Sequence, residues 1–379
     1  MKITFVLPFA GLAGGIRVVA IYAERLKKRG HEVFVVSLPA DPISPIEQVK
    51  SLLKGKGWIS TTKEPSHFDG LDVEHRIIER RRPIADADVP EADVVVATWW
   101  ETAEWVAKMS EAKGAKVYFI QHDERFDNMP RERVEATWEL PVHKITIAQW
   151  LVDLVQERFS DCHISLVPNS VDLKQFNAPP RGKQAIPTIG MLYSPVGWKG
   201  CDISLKAFSL AAQQIPNLRL VTFGDSLSPD LPLPPDTEYA YRPAQSTLKD
   251  FYAKCDAWLF GSRTEGFGLP ILEAMACRTP VIGTPAGAAP ELLADGAGIL
   301  VKPEAPEDMA RAIERVCLLS DSEWRTMSDA AYAKATSYTW DDAVELFESA
   351  LQTAIDRRQR GDFSSSDAPK DVSPQQTPI

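Results

Sequence analysis

Short apolar runs alternate with stretches of helical periodicity along both halves of this 379-residue chain, which confines it to parallel sheets covered by helices. In the first half, Lys2 to Leu7, His31 to Ser37, Asp93 to Thr98, Lys116 to Gln121 and Lys144 to Ala148 read as strands, with helices such as Arg17 to Arg29 and Trp150 to Phe159. In the second half, Thr188 to Tyr193, Arg219 to Phe223, Ala257 to Gly261, Pro280 to Thr284 and Gly298 to Val301 read as strands between helices. The expected class is α/β, with two doubly wound parallel-sheet domains. A hydrophobic content of 44% supports two packed cores.

The segment Val167-Pro-Asn-Ser-Val-Asp172, followed by proline- and glycine-bearing residues to Pro187, marks the crossing between domains of 1–170 and 171–358. Tyr338 to Arg358 reads as a helix. The remainder, 359–379, is rich in Ser, Pro, Asp and Gln and is expected to be disordered. A formal charge of −10 excludes a general nucleic-acid binder, which carries a basic footprint. Basic residues cluster at Arg25, Lys27, Lys28 and Arg29 and at Arg76, Arg80, Arg81 and Arg82, where a solvated helix face fits better than contact with an anionic lipid or acceptor. The five cysteines, at 162, 201, 255, 277 and 317, form no C-x-x-C pair and read as reduced cytoplasmic thiols. Residues 3–16 imitate a signal-peptide core, but Pro8 interrupts the run and a helix pattern follows directly. No segment approaches the ~20 apolar residues that span a bilayer.

The chemistry concentrates in Glu265-Gly-Phe-Gly-Leu-Pro-Ile-Leu-Glu273, which sets two carboxylates eight positions apart around a glycine turn that opens a helix. Pro270 suits the first helical position, so the amides of Phe267, Gly268 and Leu269 are expected to lie unpaired at the positive helix end, where phosphate binds. Glu273 is expected in the first turn and Glu265 in the loop before it, each able to grip hydroxyls on one side of a diphosphate. Three further pieces fall at strand ends. Gly11-Leu-Ala-Gly14-Gly15 follows the first strand and precedes a helix, without the G-x-G-x-x-G pattern. His122-Asp123 follows the strand ending at Gln121. Lys199-Gly200 opens a helix, and a lysine there opposes the helix dipole, so a purely structural role explains it poorly. Trp99, Trp100 and Trp198 fit core or rim packing better than stacking on a sugar. Asp86-Ala-Asp88 has the form of a metal-binding D-x-D but precedes a strand instead of following one, so no metal ligand is assigned.

Ser262-Arg-Thr-Glu-Gly-Phe-Gly-Leu-Pro270, Glu273-Ala-Met-Ala276 and Pro280-Val-Ile282 together resemble the donor-site signature of family 4 retaining glycosyltransferases, the glycosyl transferases group 1 type with the GT-B fold. The resemblance implies two Rossmann-like domains facing across a cleft, with the C-terminal helix returning to the first. It implies metal-independent, cofactor-free transfer of a hexosyl or deoxyhexosyl group from a nucleotide-diphosphate sugar to an acceptor hydroxyl with retention. The catalytic set carried over is Glu265, Lys199 and His122; the donor-binding set is Gly14, Gly15, Ser194, Arg263, Gly266, Phe267, Gly268, Leu269 and Glu273. Glu265 would orient the sugar and Glu273 the ribose. Relatives place an Arg a few residues before the Lys, where this chain has the uncharged Met191 and Ser194; Arg263 or Arg17 could supply that charge. The implied partners are a nucleotide sugar and a glycan or lipid-linked glycan acceptor, with peripheral membrane contact through the first domain and no nucleic acid. The implied setting is bacterial polysaccharide or glycoconjugate synthesis in the cytoplasm, at the inner face of the membrane. The rival readings are a nucleotide-sugar epimerase and a non-catalytic nucleotide-sugar-binding protein.

Overall fold

The computed structural model describes residues 1–40, 49, 51–53, 65–158 and 163–363. Cys162, Phe159 and most of the expected tail, 364–379, lie outside the described residues. The chain forms two compact units. One holds Met1–Thr146, Val152–Val167 and the chain from Val344 on; the other holds Ile147–Leu151 and Pro168–Ala343.

The first unit is built on seven parallel strands, β1 (Lys2–Leu7), β2 (Glu32–Ser37), β3 (Glu74–Ile77), β4 (Val94–Ala97), β5 (Ala115–Ile120), β6 (His143–Thr146) and β7 (Ile164–Leu166), in the order β3-β2-β1-β4-β5-β6-β7. The second has six, also all parallel: β8 (Thr188–Leu192), β9 (Arg219–Gly224), β10 (Glu238–Tyr241), β11 (Ala257–Phe260), β12 (Val281–Gly283) and β13 (Gly298–Leu300), in the order β10-β9-β8-β11-β12-β13. The central strands are buried because helices cover both faces; most are largely apolar, as in β1 from Ile3 to Leu7, whereas β6, His-Lys-Ile-Thr, is buried with His143 and Lys144 hydrogen-bonded. Strands β3, β7 and β10 were not expected from the sequence. All three are edge strands, short and partly exposed, such as Glu-His-Arg-Ile in β3, and an edge strand has no need of the apolar run that marks a central one.

Strand order reverses between β1 and β4 in one sheet and between β8 and β11 in the other. In open parallel sheets, ligands bind outside the carboxyl ends of strands at such a reversal. The fold therefore marks out two short loop sets, those after β1 and β4 and those after β8 and β11.

Helix Trp340–Arg360 completes the first unit from Val344 onward. Phe347 stacks on Tyr22 at 4.3 Å between ring centroids and meets Phe119 edge-on at 5.2 Å, all three rings being fully buried. At the rim, Glu348 pairs with Arg29 at 2.6 Å and with His31, and Arg358 bonds Glu111. The basic stretch 25–29 is thus largely spoken for, with Lys27 on Asp72 and Lys28 on Glu24. The Asp86-Ala-Asp88 string forms a short 3-10 turn in which Asp88 holds Arg82 through two 2.6 Å bonds and Asp86 accepts from the Ser110 amide. Its carboxylates brace the loop before β4. Phe347→Ala should destabilise the first unit by about 3–5 kcal/mol, the cost of emptying a buried aromatic site. Chemical denaturation followed by near-UV circular dichroism measures this, and a loss below about 1 kcal/mol would mean that the helix is not part of that core.

Candidate active site

The turns after β8 and β11 meet at the strand-order reversal of the second sheet. After β8 the chain makes a short 3-10 turn, Gly197–Lys199, and Gly200 then adopts φ of 58° to start helix Cys201–Ala212. Only glycine fits there, since a β-carbon on Gly200 would lie 1.8 Å from the Gly261 carbonyl oxygen. After β11, Ser262 to Glu265 form the facing turn. Lys199 Nζ donates to Glu265 Oε1 at 2.7 Å, and Ser262 Oγ donates to the same oxygen at 2.9 Å. Beside them lies a cavity of about 20 Å³, room for one water, lined by Lys199, Ser204, Gly261, Ser262, Glu265 and Pro270. Two of the three residues expected to act in catalysis therefore stand in contact.

Arg263 is placed otherwise than as a free cation. Its Nη1 donates to Gly197 O (2.5 Å) and Asp202 Oδ1 (2.9 Å), its Nη2 to Asp202 Oδ2 (2.8 Å) and Glu304 Oε2 (3.0 Å), and its Nε pairs with Glu304 Oε1 (2.6 Å). These use all five donors of a guanidinium. Asp202, then Glu304, raise the Arg263 pKa, and Arg263 holds the Asp202 carboxyl below its usual range. In this arrangement Arg263 has no N–H left to give a phosphate.

Helix Leu269–Ala276 opens on Gly268, which takes φ of 100°, and no side chain caps it. The left-handed residue turns the chain one position earlier than expected, so Leu269 is the first helical residue and Pro270 the second. The missing proline N–H is still harmless there, because none of the first four has an intrahelical partner. Glu273 is the fifth helical residue and not in the first turn. It is 7% exposed, and the buried Tyr252 hydroxyl donates to its Oε2 at 2.7 Å. Phe267 O accepts from Ala288 N, and Gly266 O accepts from the Trp150 indole at 2.9 Å, which pins the glycine turn. Ser194 donates its amide to Cys201 Sγ, whose thiol burial pushes up to about 11. Sequence reasoning missed Tyr252, Trp150, Asp202 and Glu304. All four have partners distant in the chain, and for Asp202 the only signal was an acid early in the helix that Lys199-Gly200 precedes.

In the first unit, Gly14 and Gly15 begin helix Gly14–Lys28 after β1. Neither has a positive φ; a β-carbon on Gly14 would meet nothing within 4 Å, so an open face and not a strained backbone is what glycine preserves there. Gln121 Nε2 donates to Gly15 O at 3.2 Å. His67, another residue that the sequence did not single out, donates its amide to Gly11 O; burial lowers its pKa, against a hydrogen bond to Leu12 that raises it. His122 follows β5, and its Nδ1 lies 2.8 Å from the Asp123 carbonyl. A carbonyl only accepts, so Nδ1 carries a proton in this contact. The next three residues lock this loop. Burial pushes the Asp123 carboxyl up, but its two bonds to Arg125 outweigh that and hold it below its usual range. Glu124, 1% exposed, accepts from the Trp100 amide at 2.6 Å and the Tyr118 hydroxyl at 2.8 Å. Burial dominates both bonds and pushes its pKa up to about 8. Among the described residues, no cluster of three His, Cys, Asp or Glu could hold a metal ion, and no helix is long and apolar enough to cross a membrane.

Residues 174–334 match the family described as Glycosyl transferases group 1. Among curated proteins, the chain is 26% identical over 212 residues to a phosphatidylinositol N-acetylglucosaminyltransferase subunit of Arabidopsis thaliana, covering 53% of this chain and 46% of that protein. It is 26% identical over 406 residues to the D-inositol 3-phosphate glycosyltransferase of Acidothermus cellulolyticus, covering 93% and 88%. Among solved structures, that of Anabaena HepE in complex with UDP and glucose superposes with a TM-score of 0.70 at 18% identity, covering 93% of this chain and 99% of that one. At that identity the likeness is one of fold, and the fold is GT-B.

Two measurements check this geometry. In an unfolded chain Glu124 ionises near its ordinary value of 4.5, whereas folded it holds its proton to about 8. Between these values the folded state binds the extra proton, so stability falls as pH rises from about 5 to 8. Glu124→Gln stays neutral and accepts the same two bonds, so its melting temperature relative to the wild type should climb across that range; a constant difference would mean that Glu124 ionises normally. Tyr252→Phe removes only the hydroxyl that holds Glu273 and should cost about 1–3 kcal/mol, as an unmade bond to a buried carboxylate does. Urea denaturation reads it, and no change would mean that Glu273 is held by other groups.

Proposed function

We propose retaining transfer for this chain, which belongs over residues 174–334 to the glycosyl transferases group 1 and is a glycosyltransferase using nucleotide sugars. The observation that carries the reading is the 2.7 Å pair of Lys199 and Glu265 at the carboxyl ends of β8 and β11. A sugar diphosphate bound there presents its leaving oxygen to Lys199 and to the amides that begin helix Leu269–Ala276. As the glycosidic bond breaks, negative charge grows on that oxygen, and the ammonium and amides hold it better in the transition state than in the ground state. Glu265, released from Lys199, orients the sugar hydroxyls, and Glu273 takes the ribose diol. The acceptor hydroxyl attacks from the face the diphosphate leaves, which retains the anomeric configuration, with the departing phosphate oxygen taking the acceptor proton. A double displacement would need a carboxylate nucleophile of its own, and both assigned carboxylates already hold hydroxyls in this reading.

His122 is assigned to the reacting sugar and the Gly14–Gly15 helix start to the donor, as the resemblance implies. The acceptor is a hydroxyl of a glycan or lipid-linked glycan; because two relatives are named for inositol-bearing compounds, inositol 3-phosphate belongs in the acceptor panel. The electrostatic work falls to Lys199 and backbone amides, so transfer needs no metal in this reading.

Lys199→Ala should lower kcat by on the order of 10²–10³ with a smaller effect on donor affinity, by analogy with loss of one oxyanion donor. Release of nucleoside diphosphate from UDP-, GDP- and ADP-sugars with an acceptor panel measures this; a loss below a few-fold would remove Lys199 from the reaction. Excess EDTA should leave the rate within about two-fold, and abolition restored by manganese would overturn metal independence. Nuclear magnetic resonance of the product should show the donor's anomeric configuration; epimerised donor without transfer would favour an epimerase.

A further inference from the structure

Arg263 stands two residues before Glu265 and is the charged group nearest in sequence to that carboxylate, so a phosphate-binding role suggests itself first. The geometry points elsewhere: we infer that Arg263 is a positioning residue, a brace that locks the Lys199 turn onto the Glu265 turn. This rests on the reading of Lys199 and Glu265 as the reacting pair.

Three observations carry it. The Arg263 amide donates to Trp198 O at 2.8 Å and its Nη1 to Gly197 O, so backbone and side chain together grip the turn that ends in Lys199. The same guanidinium takes Asp202 in a bidentate pair, which ties it to the first turn of the helix after Gly200. Glu304 closes the far side through Nε and Nη2. Two carboxylates on one guanidinium leave a net negative group, which repels a phosphate instead of attracting it. The bidentate and backbone contacts need the planar fork of arginine; a lysine ammonium has three donors on one nitrogen and cannot span Gly197, Asp202 and Glu304 at once.

The consequence is that Lys199 arrives preset at Glu265. Without the brace, a 3-10 turn of three residues and a partly exposed lysine would sample many arrangements. Arg263 therefore acts on the reaction through Lys199 and touches no substrate.

Amide exchange in the ligand-free protein, together with titration of UDP and GDP as probes, tests this. In Arg263→Ala, exchange at 197–200 and 262–265 should quicken about tenfold or more while the melting temperature stays within a few degrees. The Asp202→Asn/Glu304→Gln variant, which keeps the arginine but unties it, should quicken the same amides. Arg263→Lys should behave as Arg263→Ala. In a cycle with Lys199→Ala, the two losses in kcat should be far from additive, with the double variant within about two-fold of Lys199→Ala alone. Unchanged exchange in Arg263→Ala would overturn the brace. So would full recovery by Arg263→Lys, tighter UDP or GDP binding once Asp202 and Glu304 are neutralised, or additive losses in the cycle, since each is the mark of a phosphate ligand. A wild-type protein that binds neither nucleotide and turns over no nucleotide sugar would sink the glycosyl-transfer reading instead, and the exchange comparison would still decide the brace.

Discussion

The bare backbone of Gly200 against the carbonyl of Gly261 is the contact on which the second unit's site depends. With a β-carbon at Gly200 those atoms would be 1.8 Å apart, so any other residue would drive the turn after β8 away from the turn after β11. Those two strands are neighbours only because the sheet reverses its order there, with β8 lying between β9 and β11. The reversal opens the crevice, and the glycine contact narrows it until a lysine on one turn reaches a glutamate on the other. The Ser262 hydroxyl and the Arg263 network then follow from the same approach of two loops.

The charges of the ligand-free site are arranged in balance. Lys199 is 30% exposed and Glu265 14%, and an ion pair this open to water contributes about 1 kcal/mol or less to stability. A pair this open is exchanged for another partner at little cost. Arg263 is the opposite case. Its partners are two carboxylates and a carbonyl that together use every donor, so no single anion can displace them without leaving others unmade.

The first unit shows the same economy of polar groups around one loop. Between β5 and helix Arg131–Trp138, Asp123 takes Arg125, Arg125 takes Glu135 and lies 5.3 Å from the Trp138 ring, and Glu124 ties the loop to Trp100 and Tyr118 in the interior. His122 is oriented by the Asp123 carbonyl. A buried neutral acid is costly to ionise and therefore holds its two donors without a counter-charge, which keeps the loop in one place across the physiological range.

What the sequence determined by itself was local. Apolar runs between helical stretches gave the class, the central strands and the two doubly wound sheets, because a strand buried on both faces is mostly apolar. The string from Ser262 to Glu273 identified a carboxylate pair around a helix start, since the left-handed backbone at 268 calls for glycine and the helix start tolerates proline at 270, both local constraints. Edge strands β3, β7 and β10 left no such mark. Only the tertiary structure decided which groups the charges meet. Lys199 and Glu265 are 66 residues apart, Arg263 and Glu304 41, and Tyr252 and Glu273 21. No periodicity spans such gaps, and side chains pair by where strand order and glycine contacts carry their backbones. The charge of Arg263 was legible in the sequence, whereas the two acids that claim it were brought there by the fold.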